Sequence, residues 1–133
     1  MLFHSTRGND SGKNFTTILM QGLADDGGLF MPDHWPQVDL EEIKSKMSFV
    51  DVAKCIVPLF TASSFSQAET IKIVEDAWHD FEHLDLIGIQ TFDDVSILEL
   101  FHGPTAAFKD FGLQLAAAFF NEVLESENKT AIV

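Results

Sequence analysis

Along the first two-thirds of the chain, apolar residues recur three and four positions apart, the spacing that lines one face of an α-helix. Asn14 is placed to cap a helix running through Phe15, Ile18, Leu19 and Gly22. Ahead of it, Leu2 to Ser5 reads as a short opening strand. After it, Asp25-Asp26-Gly27-Gly28 reads as a turn, because acidic side chains bond local backbone and glycine accepts positive φ. Leu29 to Pro32 is an extended apolar piece that the proline ends. Three further helix starts carry a cap residue with an acid three positions on: Asp39 with Glu42, Ser48 with Asp51, and Ser66 with Glu69. They predict helices over Leu40 to Lys46, Phe49 to Phe60 and Gln67 to about His83. The last would set Ile71, Val74, Ala77 or Trp78, and Phe81 on one face.

Near position 88 the pattern changes. Ile89 to Phe92 and Val95 to Phe101 are rich in β-branched and apolar residues, with Asp93-Asp94 as a turn between them. His102-Gly103-Pro104-Thr105 cannot continue a strand. From about Asp110 to Glu125 the chain reads as a helix, and Leu113 to Phe120 is apolar all round except Gln114, which predicts deep burial. Thr130 to Val133 starts another strand. Strand, loop, helix and strand make a βαβ unit with parallel strands. The expected class is therefore α/β: a mainly helical domain with a few short strands over 1–94, then the opening βαβ portion of a second domain over 95–133. One βαβ unit cannot cover both faces of its strands, so the chain is expected to stop inside that second domain. An association of the piece through uncovered Phe119 and Phe120 would be an artefact of that stop; the oligomeric state is not legible.

Charge narrows the function classes. Eight Lys and Arg against 21 Asp and Glu give a net charge of −13, which disfavours nucleic acid and anionic membrane surfaces as partners. No apolar run approaches the roughly 20 residues of a membrane helix, and Met1 to Gly8 lacks the apolar core of a secretory signal. The default expectation is a cytoplasmic protein. A lone Cys55 in an apolar helical stretch reads as a small hydrophobe. His79 and His83 have i, i+4 spacing, but no further ligands are evident and no metal site is expected. Arg7, the only arginine, fits a surface ion pair better than an anion site.

Open α/β sheets bind ligands beyond the carboxyl ends of their strands. The loop at that place runs from Phe101 to Asp110, where Gly103 permits close approach, Pro104 stiffens the turn, and Lys109 opens the helix. A helix N-terminus and apolar neighbours Phe108 and Phe111 would disfavour the ammonium form of Lys109. A neutral amine is the nucleophile a Schiff base requires. On physical grounds alone, a surface lysine neutralised by Asp110 is the commoner role for such a residue.

The segment Glu99-Leu100-Phe101-His102-Gly103-Pro104-Thr105-Ala106-Ala107-Phe108-Lys109-Asp110 closely resembles the lysine motif of threonine synthases. Ser5-Thr6-Arg7-Gly8 resembles the start of that family. The stretch Gly22 to Pro32, Gly-Leu-Ala-Asp-Asp-Gly-Gly-Leu-Phe-Met-Pro, resembles its next signature. The resemblance implies a pyridoxal 5'-phosphate (PLP) enzyme of fold type II, related to the tryptophan synthase β subunit. Its members convert O-phospho-L-homoserine and water to L-threonine and phosphate. It further implies Lys109 as the catalytic residue, covalently bound to PLP in the full-length enzyme, with His102, Thr105, Phe108 and Asp110 beside the cofactor. Ala106 departs from the larger residue, such as leucine, that many members carry there. The family's Ser-Gly-Asp-Thr-Gly segment, phosphate-binding glycine loop and pyridine-nitrogen partner are not among these residues. The chain alone is therefore expected to be inactive and to lack PLP. The rival reading is a non-catalytic N-terminal lid or interaction module, supported by the self-capped helical stretch 14–83.

Overall fold

The computed structural model describes residues 1–44, 48–83 and 85–131, without the Glu42 side chain. The expected helix end at Lys46, the Glu42 half of the first cap and the last two residues of the expected 130–133 strand fall outside this description. Thr130 and Ala131 are not in a strand.

Two small antiparallel sheets and five helices are described. Strand β1 (Phe3–Ser5) pairs with β2 (Phe30–Pro32), Phe3 opposite Pro32 and Ser5 opposite Phe30. Between them lies α1 (Phe15–Gln21), where Asn14 Oδ1 accepts from the Thr17 amide at 2.8 Å. The Phe15 and Thr16 amides, with no partner inside the helix, donate to Ser63 Oγ at 3.0 Å and Ser64 Oγ at 2.9 Å. That pairing docks α1 on the turn at Ser63-Ser64.

Helix α2 (Leu40–Lys44) is followed by α3 (Phe49–Thr61) and α4 (Gln67–Asp76). Reciprocal capping boxes open both longer helices, Ser48 with Asp51 and Ser66 with Glu69. Asp39 Oδ1 accepts from the Glu41 amide at 2.9 Å, a cap of shorter reach than expected. Pro58 lies inside α3, where it removes one helical hydrogen bond. Buried Thr61 and Thr70 hydroxyls meet at 2.8 Å and link α3 to α4.

Helix α4 ends at Asp76, not near His83. Ala77 and Trp78 stay buried while the chain turns, and the Trp78 indole donates to the Phe111 carbonyl at 3.0 Å. Leaving the helix lets the indole reach the last helix. Around Val74, Ala77, Trp78 and Leu86 pack Phe49, Phe81, Phe111 and Leu115. Phe49 meets Trp78 and Phe111 edge-on at 5.0 and 5.1 Å. A second aromatic group joins Phe15, Phe65 and Phe119, with Phe119 at 5.0 and 5.3 Å from the other two.

Strands β3 (Gly88–Phe92) and β4 (Val95–Glu99) form an antiparallel hairpin, closed by Asp93 at φ 48°. The described partner of β4 is thus β3, and the described sheets are all antiparallel. Helix α5 (Asp110–Ser126) follows. Its 113–120 segment is shallower than predicted: Phe119 is buried, but Leu113 is 56% exposed and Phe120 is partly covered. Periodic apolarity on all sides raises the demand for cover, and the described residues supply it on one side only. No described helix is long and apolar enough to cross a membrane.

Candidate functional site

The loop from Phe101 to Lys109 joins β4 to α5 and is fastened at both ends. At its start, His102 Nε2 lies 3.0 Å from Glu99 Oε2. A carboxylate accepts, so the proton sits on Nε2. The His102 ring is tilted against that of His83 at 4.7 Å, and its carbonyl accepts from the Glu82 amide at 3.1 Å. One residue thus ties the loop to the hairpin and to the turn after α4.

At its far end the fastening is Asp110, which is 1% exposed. Asp110 Oδ1 accepts from the Thr105 hydroxyl at 2.5 Å, and Oδ2 from the Thr105 amide at 2.8 Å. The Thr105 hydroxyl does most to hold the Asp110 carboxyl below its ordinary range, against the opposing effect of burial. Gly103 is buried against this carboxylate, and its amide-side space is already taken: a Cβ there would lie 2.6 Å from Asp110 Cβ. Ala106 takes φ 53° while its amide donates to the Gly103 carbonyl at 3.0 Å. A non-glycine residue in that region is strained, and the tight closure of the loop explains why it persists.

Lys109 is the N-cap of α5, with its carbonyl accepting from the Leu113 amide at 2.9 Å. Its side chain is exposed, and Phe108 beside it is 74% exposed. The apolar shielding expected from Phe108 is therefore not furnished by the described residues. The amine makes no ion pair among the described residues, whereas Lys13, Lys44, Lys54 and Lys129 each meet a carboxylate. An exposed primary amine at the N-terminus of a 17-residue helix suits an aldehyde-bearing anion such as PLP, since the helix end favours negative charge.

Of the five residues expected beside a cofactor, Lys109 and Phe108 face outward. Thr105 and Asp110 are spent on each other, and His102 on Glu99. Glu99 and His83 are the partners that sequence reasoning missed, and no local spacing rule points to them. His79 and His83 do not share a helix, since α4 ends earlier. His79 Nδ1 lies 2.7 Å from the Asp76 carbonyl, which raises its pKa above the usual imidazole value. No cluster of three metal-ligating side chains occurs among the described residues. Cys55 is half-buried rather than buried.

The two earlier motifs converge on Asp26. Its carboxylate accepts from the Ser5 hydroxyl at 2.6 Å, the Gly28 amide at 2.9 Å and the Asn9 amide at 3.1 Å. A Cβ on Gly28 would collide with Ser5 Oγ. Arg7 Nη1 donates to the Asp26 carbonyl at 2.9 Å, so the one arginine closes this knot from outside.

The Ser5 hydroxyl contributes most to lowering the Asp26 pKa from the ordinary 3.8. A carboxyl depressed in the fold stabilises it fully above the unfolded value and ceases to as pH falls through the folded one. The urea midpoint should therefore drop from about pH 4 downward. Acid also relieves the repulsion of a −13 chain, so the informative quantity is a difference. Ser5→Ala should flatten the acid limb relative to the parent chain, and parallel limbs would contradict the assignment.

A family model described as the threonine synthase N terminus matches residues 2–78. The threonine synthase of Pseudomonas aeruginosa is 37% identical over 136 residues, covering 100% of this chain and 29% of that protein. A threonine synthase-like 2 protein of Xenopus laevis is 33% identical, covering 97% of this chain and 28% of that relative. Among solved structures, the PLP-bound threonine synthase of Brucella melitensis superposes with a TM-score of 0.88 at 37% identity, over 96% of this chain and 28% of that one. Threonine synthase from yeast gives 0.85 at 36% identity, over 96% and 27%. The chain thus spans less than a third of the length of these relatives.

Proposed function

The chain belongs to the threonine synthase family, and from that premise we propose that it is the N-terminal portion of an enzyme converting O-phospho-L-homoserine and water to L-threonine and phosphate. Lys109 is the residue that would hold PLP, which supplies an electron sink for carbanion chemistry when bound. What supports this reading most is an amine at the head of α5 with no ion pair among the described residues, inside the Glu99–Asp110 segment that resembles the family's lysine motif.

The residues of this chain divide the work. Lys109 would hold the cofactor through Nζ, and the same amine would serve as a general acid and base. The start of α5 favours the negative charge of cofactor and substrate, which a −13 chain otherwise repels. His102 anchors the loop. The stretch over 95–133 is the beginning of the cofactor domain and 1–94 the domain before it. The reaction takes place in the cytoplasm, on a small molecule and without nucleic acid.

With one amine for PLP and no phosphate cradle among the described residues, this stretch alone should turn over no phosphohomoserine. Added PLP should nevertheless give an imine absorbance band that Lys109→Ala abolishes. A band that survives Lys109→Ala, or no band at all, would favour a non-catalytic lid or docking module for this stretch.

A further inference from the structure

We propose that Thr105 and Asp110 are positioning residues for Lys109: Thr105 captures the Asp110 carboxylate and so keeps it off the neighbouring amine. This rests on the reading of Lys109 given above, but it assigns the pair a role other than touching the cofactor.

Asp110 is the carboxylate next in sequence to Lys109, and four other lysines of this acidic chain do meet carboxylates. Lys54 lies 2.6 Å from Glu75, Lys44 2.6 Å from Glu41, Lys13 3.1 Å from Asp10, and Lys129 2.5 Å from Glu127. Such a partner stabilises the ammonium form, which cannot attack a carbonyl. Asp110 behaves otherwise. Both its oxygens are turned back into the loop, onto the Thr105 hydroxyl and amide, and the side chain is 1% exposed while Lys109 points outward.

Three features of the loop serve that geometry. Gly103 leaves room for the carboxylate, since any Cβ there would occupy its place. Ala106 accepts a left-handed conformation, φ 53°, which folds Thr105 back over the start of α5. The Lys109 carbonyl accepts from the Leu113 amide, so the backbone carrying the amine is held by the helix. The side chain itself has no cap hydrogen bond. The amine thus stands at the head of the helix without an ion pair to Asp110 among the described residues, although the carboxyl still feels its charge.

The test uses the 133-residue chain with PLP, borohydride reduction and peptide mapping of the label across its lysines. In the parent chain Lys109 should take the largest share. In Thr105→Val, which keeps the shape and removes the hydroxyl, Asp110 Oδ1 loses its partner and is free to turn toward the amine, while Oδ2 keeps the residue-105 amide. The Lys109 share should fall about ten-fold at neutral pH, because a carboxylate beside the amine favours the ammonium form. Labelling of Lys109 should also move to higher pH, while that of Lys54 and Lys129 stays put. Thr105→Ser should restore both. Circular dichroism separates these effects from unfolding. An unchanged share and pH profile in Thr105→Val would overturn the proposal and leave the reading of Lys109 intact. No preference for Lys109 in the parent chain would overturn both.

Discussion

Trp78→Ala should lower the stability of the chain by about 3–5 kcal/mol, the range for removing a buried aromatic side chain. The indole is 5% exposed and sits where α3, α4 and α5 meet. It packs edge-on to Phe49 at 5.0 Å and donates its N–H to the Phe111 carbonyl at 3.0 Å. The alanine leaves both a cavity and a carbonyl without its donor. Urea denaturation measures the loss, with Trp35→Ala as the control. Trp35 is 67% exposed and its removal should cost less than about 1 kcal/mol. Equal effects of the two substitutions would mean that Trp78 is not the centre of this core.

Gly103→Ala is the second large effect, because one methyl group strikes the point on which the lysine loop closes. The new Cβ would lie 2.6 Å from both Asp110 Cβ and Oδ2, and 3.0 Å from Cγ. Real side chains do not approach so closely, so Asp110 must leave Thr105 or the loop must open. Overpacking of this kind costs about 1–3 kcal/mol. The functional consequence is larger than the loss of stability, since the displaced carboxylate is adjacent to Lys109. The imine band with PLP should be lost in Gly103→Ala under conditions where circular dichroism shows the helices intact. A variant with parent stability and a parent band would show that the loop has slack the geometry denies it.

Local contacts were the legible part of this molecule. Ser48 with Asp51 and Ser66 with Glu69 are read from spacing because each pair satisfies its own helix start. The Asp93-Asp94 turn is likewise a two-residue event between apolar runs. The extent of α4 was not legible. Ala77, Trp78 and Phe81 extend the helical period on paper, yet Trp78 leaves the helix to meet Phe111, 33 residues away. The depth of α5 failed for a related reason: apolarity states what must be covered and not what is present to cover it. At the candidate site, Lys109 was singled out through its motif, and the structure places it as the N-cap of α5. Its exposure, and the turning of Asp110 onto Thr105, depend on loop geometry that no periodicity encodes. The bond from Ser5 to Asp26 spans 21 positions, so the two motifs that make it were visible while their union was not.

The central claim is a covalent one, about a single nitrogen. A crystal structure of the chain treated with PLP and reduced with borohydride tests it most directly. The account predicts continuous electron density from Lys109 Nζ into the pyridine ring at the head of α5. Density that instead grows from another lysine, with Lys109 bare, would contradict it.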